Sequence, residues 1–109
     1  MAASIREWRE RVGVRCLTRS KEALMVRDGG YFPVLAALSS REVVAIVRGG
    51  AGHLGIGGRL DLLRSLDGGE TWLPPVTVVR SEWDDRNPAL GLSRDGAFIL
   101  AYHHQGSYD

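Results

Sequence analysis

The chain has one cysteine, Cys16, so no internal disulfide can staple it, and with no second Cys or His nearby at ligand spacing that thiol is not a metal site. It reads as a small buried hydrophobe. Net charge is scarce as well: 14 basic against 13 acidic side chains leave +1, which excludes the electrostatic footprint of a nucleic-acid binder. The nearest thing to a basic block, Arg6, Arg9, Arg11, Arg15 and Arg19, is spaced like a solvated face. The sequence also lacks the unbroken apolar core of a secretory leader and any run near the ~18 apolar residues that would span a bilayer. These absences predict a cytoplasmic location by default, no membrane partner, no metal and no cofactor.

What remains is ordinary for one globular domain, 44% hydrophobic and 25% charged over 109 residues. Residues 4–7, Ser-Ile-Arg-Glu, have the spacing of a capping box and predict a short helix to about residue 11. Beyond it the pattern changes to short strands, expected at 12–18, 23–26, 34–38, 43–48, 59–64, 76–79, 89–92 and 98–103. Turn-forming pairs separate nearly all of them, among them Gly49-Gly50, Gly57-Gly58, Gly68-Gly69, Pro74-Pro75, Asn87-Pro88 and Asp95-Gly96. An all-β meander is expected. Pro33-Val34-Leu35 followed by Val43-Val44 is echoed 55 positions later by Pro88-Ala89-Leu90 followed by Phe98-Ile99. A period that holds four short strands suggests a propeller blade, with two similar hairpins of a β-sandwich as the plainer reading.

Residues 65–72, Ser-Leu-Asp-Gly-Gly-Glu-Thr-Trp, are the most informative string. Asp67 can turn its carboxylate onto backbone N–H groups ahead, Gly68 and Gly69 allow φ > 0, Thr71 adds a hydroxyl bond and Trp72 anchors the outgoing strand. The string matches Ser-x-Asp-x-Gly-x-Thr-Trp at Ser65, Asp67, Gly69, Thr71 and Trp72, and so resembles the Asp-box, or bacterial neuraminidase repeat, of the sialidase superfamily. The resemblance implies one complete and one partial four-stranded blade of a six-bladed β-propeller: a lead-in over 1–28, a first blade over 29–80 and the start of a second over 81–109. Since propellers close with roughly 4–8 blades, the chain is expected to be the N-terminal portion of a longer protein, inactive alone and able to self-associate through an open blade edge.

Successive connections of a meander alternate between the two ends of the sheet. The Asp-box and the turn at 39–41 therefore fall at one end, away from any chemistry. The opposite end collects the loops at 29–33, 49–58, 81–87 and 103–109, with Tyr31, Arg48, His53, Arg59, Asp84, Asp85, Arg86, His103, His104 and Tyr108. Asp84 and Asp85 are adjacent carboxylates expected to repel one another, the candidate acid/base pair of glycoside hydrolysis, and Arg86 is a candidate clamp for a substrate carboxylate. The plainer reading is a turn rich in local hydrogen bonds. His53 is a candidate sugar contact or a solvated loop residue, and the His103-His104 pair lacks a third metal ligand.

In sialidases a Phe/Tyr-Arg-Ile-Pro motif precedes the first Asp-box and an Arg-Asp-Pro-like segment opens the next blade; Gly30-Tyr31-Phe32-Pro33 and Arg86-Asn87-Pro88 occupy those places. The family's first substrate-binding arginine falls at Tyr31, and its acid/base aspartate near His53 or Leu54. Arg48, Arg59 or Arg86 would replace that clamp and Asp84 or Asp85 that acid. The family's further groups, two arginines, a tyrosine nucleophile and its glutamate partner, would lie past Asp109. The resemblance implies retaining hydrolysis of a terminal sugar through an oxocarbenium-like transition state, with a carbohydrate as partner. A non-catalytic Asp-box module binding carbohydrate or protein is the alternative.

Overall fold

The computed structural model describes residues 22–108. Within them the chain is all-β and antiparallel. Strands β1 (Tyr31–Ala37), β2 (Val43–Gly49), β3 (Arg59–Ser65) and β4 (Val76–Val79) form a meander in sequential order, and β5 (Asp84–Leu92) with β6 (Phe98–Gln105) forms a separate hairpin sheet. No helix occurs among the described residues; the helix expected over 4–11 and the strand over 12–18 lie outside them. The strand expected at 23–26 does not form. Instead Met25 and Val26 pack on Ala45, Val47 and Leu63, so this apolar stretch covers one face of the sheet rather than pairing in its plane.

Burial explains the order of the strands. Strand β2 is buried on both faces, because it lies between two partners and its alternate residues meet different cover. Ala45 and Val47 pack with Leu63 beneath Met25, Val26 and Trp72. Val44, Ile46 and Arg48 share the opposite face, where β5 crosses β2. Strand β4, by contrast, leaves Val76 and Val78 exposed at its edge.

The 55-residue echo is a repeat of backbone register. Tyr31 pairs with Arg48, Val34 with Ile46, Leu35 with Ala45, Ala36 with Val44 and Ala37 with Val43. Fifty-five positions on, Arg86 pairs with His103, Ala89 with Ala101, Leu90 with Leu100, Gly91 with Ile99 and Leu92 with Phe98. Both hairpins close the same way, with Leu38 N–H donating to Glu42 O at 2.8 Å and Ser93 N–H to Ala97 O at 2.8 Å. Each is also interrupted at the same place, between Tyr31 and Val34 and between Arg86 and Ala89. At these bulges Phe32 (φ 54°) and Asn87 (φ 50°) adopt left-handed backbone just before Pro33 and Pro88, where the proline ring disfavours a right-handed helical residue.

This bulge corrects one expectation. Asn87-Pro88 does not end a loop; β5 begins at Asp84 and runs through it, because a bulge tolerates the missing proline N–H. Asp84, Asp85 and Arg86 therefore stand on a strand, as do His103 and His104 on β6, and not on the loops proposed for them.

Candidate functional site

Strand alternation separates the two aspartates. Asp84 and Arg86 face β1 and β2, whereas Asp85 faces the other side of the hairpin, so the two carboxylates do not share a site. The two carboxylates expected to act as a pair are thus parted for a geometric reason: successive side chains of a strand point apart.

Asp84 is fully buried and lies at the centre of the first cluster. Its Oδ1 accepts from Nε of Arg48 at 2.8 Å and from Nη2 of the same guanidinium at 2.7 Å. Its Oδ2 accepts from Nη1 of Arg86 at 3.3 Å and from the Tyr108 hydroxyl. Arg48, also fully buried, carries its remaining donors into the loop after β2: Nη1 to Gly52 O at 2.6 Å with a longer contact to Ala51 O, and Nη2 to Gly55 O at 3.1 Å. Every guanidinium nitrogen of Arg48 therefore has an oxygen partner, as burial of such a charge demands. Arg48 pins the loop carrying His53 to the first strand of the second sheet, helped by Asp85 N–H donating to Gly58 O at 3.0 Å. Gly58 lies against this pair and leaves no room for a side chain.

Rings wall the cluster. The imidazole of His53 stacks on Tyr31 at 5.8 Å and meets Phe32 edge-on at 5.4 Å. The Arg86 guanidinium sits 5.5 Å from the Phe32 ring and 5.7 Å from the Tyr108 ring, and Arg48 lies 5.9 Å from Tyr31. Arg86 Nη1 also lies 2.5 Å from the Tyr108 hydroxyl. The structure thus brings Tyr31, Arg48, His53, Asp84, Arg86 and Tyr108 together.

Arg59 stands apart. Its Nε donates to both oxygens of buried Asp61, at 2.9 and 3.1 Å, and Thr77 donates to Asp61 Oδ1 at 2.7 Å. Asp61 pairs with Val47, which places it on the sheet face opposite Arg48. An open cleft of about 340 Å³ adjoins Arg59, lined also by Asp28, Tyr31, Ala51 and the glycines around them. With Asp28 in the lining and Arg59 already bound to Asp61, this cleft is a poor place for an anion. Among the described residues no three His, Cys, Asp or Glu side chains converge to hold a metal, and no helix is long and apolar enough to cross a membrane.

The 65–72 turn folds as its chemistry dictates, at the opposite end of the sheet. Buried Ser65 donates to Asp67 Oδ1 at 2.8 Å and accepts from Gly69 N–H at 2.8 Å. Asp67 accepts from Thr71 N–H at 2.9 Å and from its hydroxyl at 2.5 Å, while Trp72 Nε1–H donates to Gly69 O at 3.1 Å. Gly68 N–H donates to Arg41 O at 2.6 Å, tying this turn to the β1–β2 hairpin. A smaller version closes β5–β6: Ser93 donates to Asp95 and accepts from Ala97 N–H at 3.0 Å. Its signal was present in the sequence as Ser-x-Asp-Gly, the same opening as residues 65–68.

The Thr71 hydroxyl and N–H, with the Ser65 hydroxyl, lower the Asp67 carboxyl to about 2, from an ordinary 3.8; Asp95 is lowered too, chiefly by the Ser93 hydroxyl. Because the folded value is depressed, Asp67 stabilises the turn fully above pH 3.8 and loses that contribution as pH falls through about 2. Carboxyl-detected NMR is expected to place its midpoint near 2, and Ser65→Ala to move the midpoint upward. A wild-type midpoint at 3.8 would contradict the hydrogen-bonded turn.

Comparison of the chain with family models, with curated proteins and with solved structures finds no match. The geometry above is therefore the ground for any functional reading.

Proposed function

We propose that the chain is part of a sialidase-like β-propeller whose loop end recognises a terminal acidic sugar. The observation that carries the reading is the convergence of two guanidiniums, Arg48 and Arg86, on the single carboxylate of Asp84. One carboxylate balances one of them, and the excess positive charge falls on the Arg86 side, where the bond to Asp84 is the longer at 3.3 Å. A sugar carboxylate at Arg86 would neutralise it by a charge-assisted hydrogen bond. The half-exposed rings of Tyr31, Phe32 and Tyr108 offer apolar faces against which a sugar ring can lie. The propeller reading is supported by the matched register of the two hairpins, 55 residues apart, and by the hydrogen bonds of the 65–72 turn. In a propeller, further blades would cover the apolar side chains that β4 and β6 leave exposed, Val76, Val78, Phe98 and Ile99 among them.

Hydrolysis by a protein that supplies the remaining groups of that family is the enzymatic form of this proposal. A specific observation favours the non-catalytic form: both oxygens of Asp84 are engaged, and His53 stands where an acid/base carboxylate is expected. A fluorogenic sialoside, offered to the full-length protein and to Arg86→Ala, tests both. Turnover supports the enzyme, binding without turnover supports the module, and neither would refute sialoside recognition. Loss of one charge-assisted hydrogen bond, about 1.5–3 kcal/mol, is expected to weaken binding by Arg86→Ala roughly 10- to 100-fold.

A further inference from the structure

One carboxylate holds its two guanidiniums unequally. Asp84 takes Arg48 directly, at 2.8 Å to Nε and 2.7 Å to Nη2, whereas Arg86 Nη1 stays at 3.3 Å. The Tyr108 hydroxyl accounts for the difference. It accepts from Arg86 Nη1 at 2.5 Å and donates to Asp84 Oδ2, so a neutral group stands between the second guanidinium and the carboxylate. The direction of both bonds is fixed, because a guanidinium only donates and a carboxylate only accepts. The path of the chain puts the hydroxyl there. Asp84 and Arg86 share one face of β5 by strand alternation, and Asp84 pairs with Gln105, the last residue of β6. The Gln105 side chain donates to Ser107 O across the turn that follows, and this turn returns Tyr108 to that face.

Arg86 is held on its other sides by rings, with Phe32 at 5.5 Å and Tyr108 at 5.7 Å from the guanidinium carbon. Its side chain is only 10% exposed. Among the described residues Nη1 is its one nitrogen with an oxygen partner, and no buried side-chain donor is left unpaired, so Nε and Nη2 reach solvent. This is the edge of the fork by which Arg48 holds Asp84, and it suits a second carboxylate equally well. Without the hydroxyl, nothing keeps Nη1 from closing on Asp84 Oδ2. Opposite charges attract strongly in a buried setting, and direct contact would neutralise Arg86 from within the protein.

We propose that the Tyr108 hydroxyl is a positioning group that keeps Arg86 from closing on Asp84, and so sets the preference of this site for a carboxylate over an uncharged sugar. The hydroxyl acts through Arg86, by holding the guanidinium apart from its internal counter-ion with the Nε–Nη2 edge turned outward. This role rests on acidic-sugar recognition at Arg86 and adds what maintains it.

The test compares the full-length protein with its Tyr108→Phe variant in titrations with N-acetylneuraminic acid and with its methyl ester. Phe keeps the ring over Arg86 and removes only the oxygen, at a residue 39% exposed, so the variant is expected to fold, as circular dichroism can verify. The ratio of acid affinity to ester affinity is expected to fall about fivefold or more in Tyr108→Phe. An equal loss for acid and ester, which leaves the ratio unchanged, is the mark of a purely structural role and would overturn the proposal. A ratio that rises would overturn it as well, since the hydroxyl would then compete with the ligand for Arg86. In both cases the wild type still prefers the acid and recognition at Arg86 stands; a wild type without that preference would overturn both.

Discussion

Arg48→Ala is expected to lower the unfolding free energy by about 3–5 kcal/mol, the range for removing one partner of a buried ion pair. Three separate losses combine. Asp84 keeps only the longer bond from Arg86 and that from Tyr108, the carbonyls of Gly52 and Gly55 lose their donors, and a large buried side chain leaves a void. The local effect is as informative as the global one. The 50–58 loop is expected to detach from Asp84, with faster amide exchange at Gly52 to Gly55 and loss of the His53–Tyr31 stacking. Arg48→Lys keeps the charge but not the fork that reaches Asp84 and three carbonyls, so it is expected to fall between wild type and alanine. Urea unfolding measures these differences; a loss below about 1 kcal/mol in Arg48→Ala would mean the pair is dispensable.

Gly58→Ala is expected to be nearly as damaging, about 3 kcal/mol, from the addition of one methyl group. A Cβ at Gly58 would fall 2.7 Å from Nε and Nη2 of Arg48 and closer still to Asp84 Oδ1. The pair would have to separate, and it has no room to do so because Arg48 and Asp84 are both fully buried. Backbone strain does not enter, since Gly58 is not among the glycines with positive φ. Gly52→Ala is the control: it lies in the same loop with nothing within 4 Å of a new Cβ, and is expected to change stability by less than about 0.5 kcal/mol. Equal effects at the two positions, measured by thermal and urea unfolding, would contradict the close packing of Gly58 on the ion pair.

Local chemistry was legible in the sequence, and pairing across distance was not. Strand β4 falls where its alternating apolar residues placed it, and β2 and β3 each extend one residue past their predicted ends, because turn residues bound all three. Strand β5 starts five residues early, since a Pro read as punctuation marks a bulge within a strand. The Pro33 and Pro88 echo was visible, but the full repeat of register was not. Pairs such as Tyr31 with Arg48 and Arg86 with His103 share position without sharing residue type.

The candidate site shows the same division. Grouping loops by end brought Tyr31, Arg48, His53, Asp84, Arg86 and Tyr108 into one list, which the structure assembles into one cluster. It could not tell that Asp84 and Asp85 serve opposite faces, because that follows from their being on a strand. Nor could it separate Arg59 from Arg48, which requires knowing the face each strand turns to its neighbour. The role of His104 is not legible in the sequence, because its partner is a carboxylate on the adjacent strand, 19 positions away in the chain.

The proposed ligand of the Arg86 guanidinium, which Asp84, Phe32 and Tyr108 share, is the carboxylate of a sugar. Calorimetric titration of the full-length protein with N-acetylneuraminic acid and with its methyl ester tests this most directly, because the ester removes the charge while adding only a methyl group. The acid is expected to bind at least tenfold more tightly than the ester, and Arg86→Ala to erase that difference. Equal affinity for acid and ester, or a preference that survives Arg86→Ala, would contradict it.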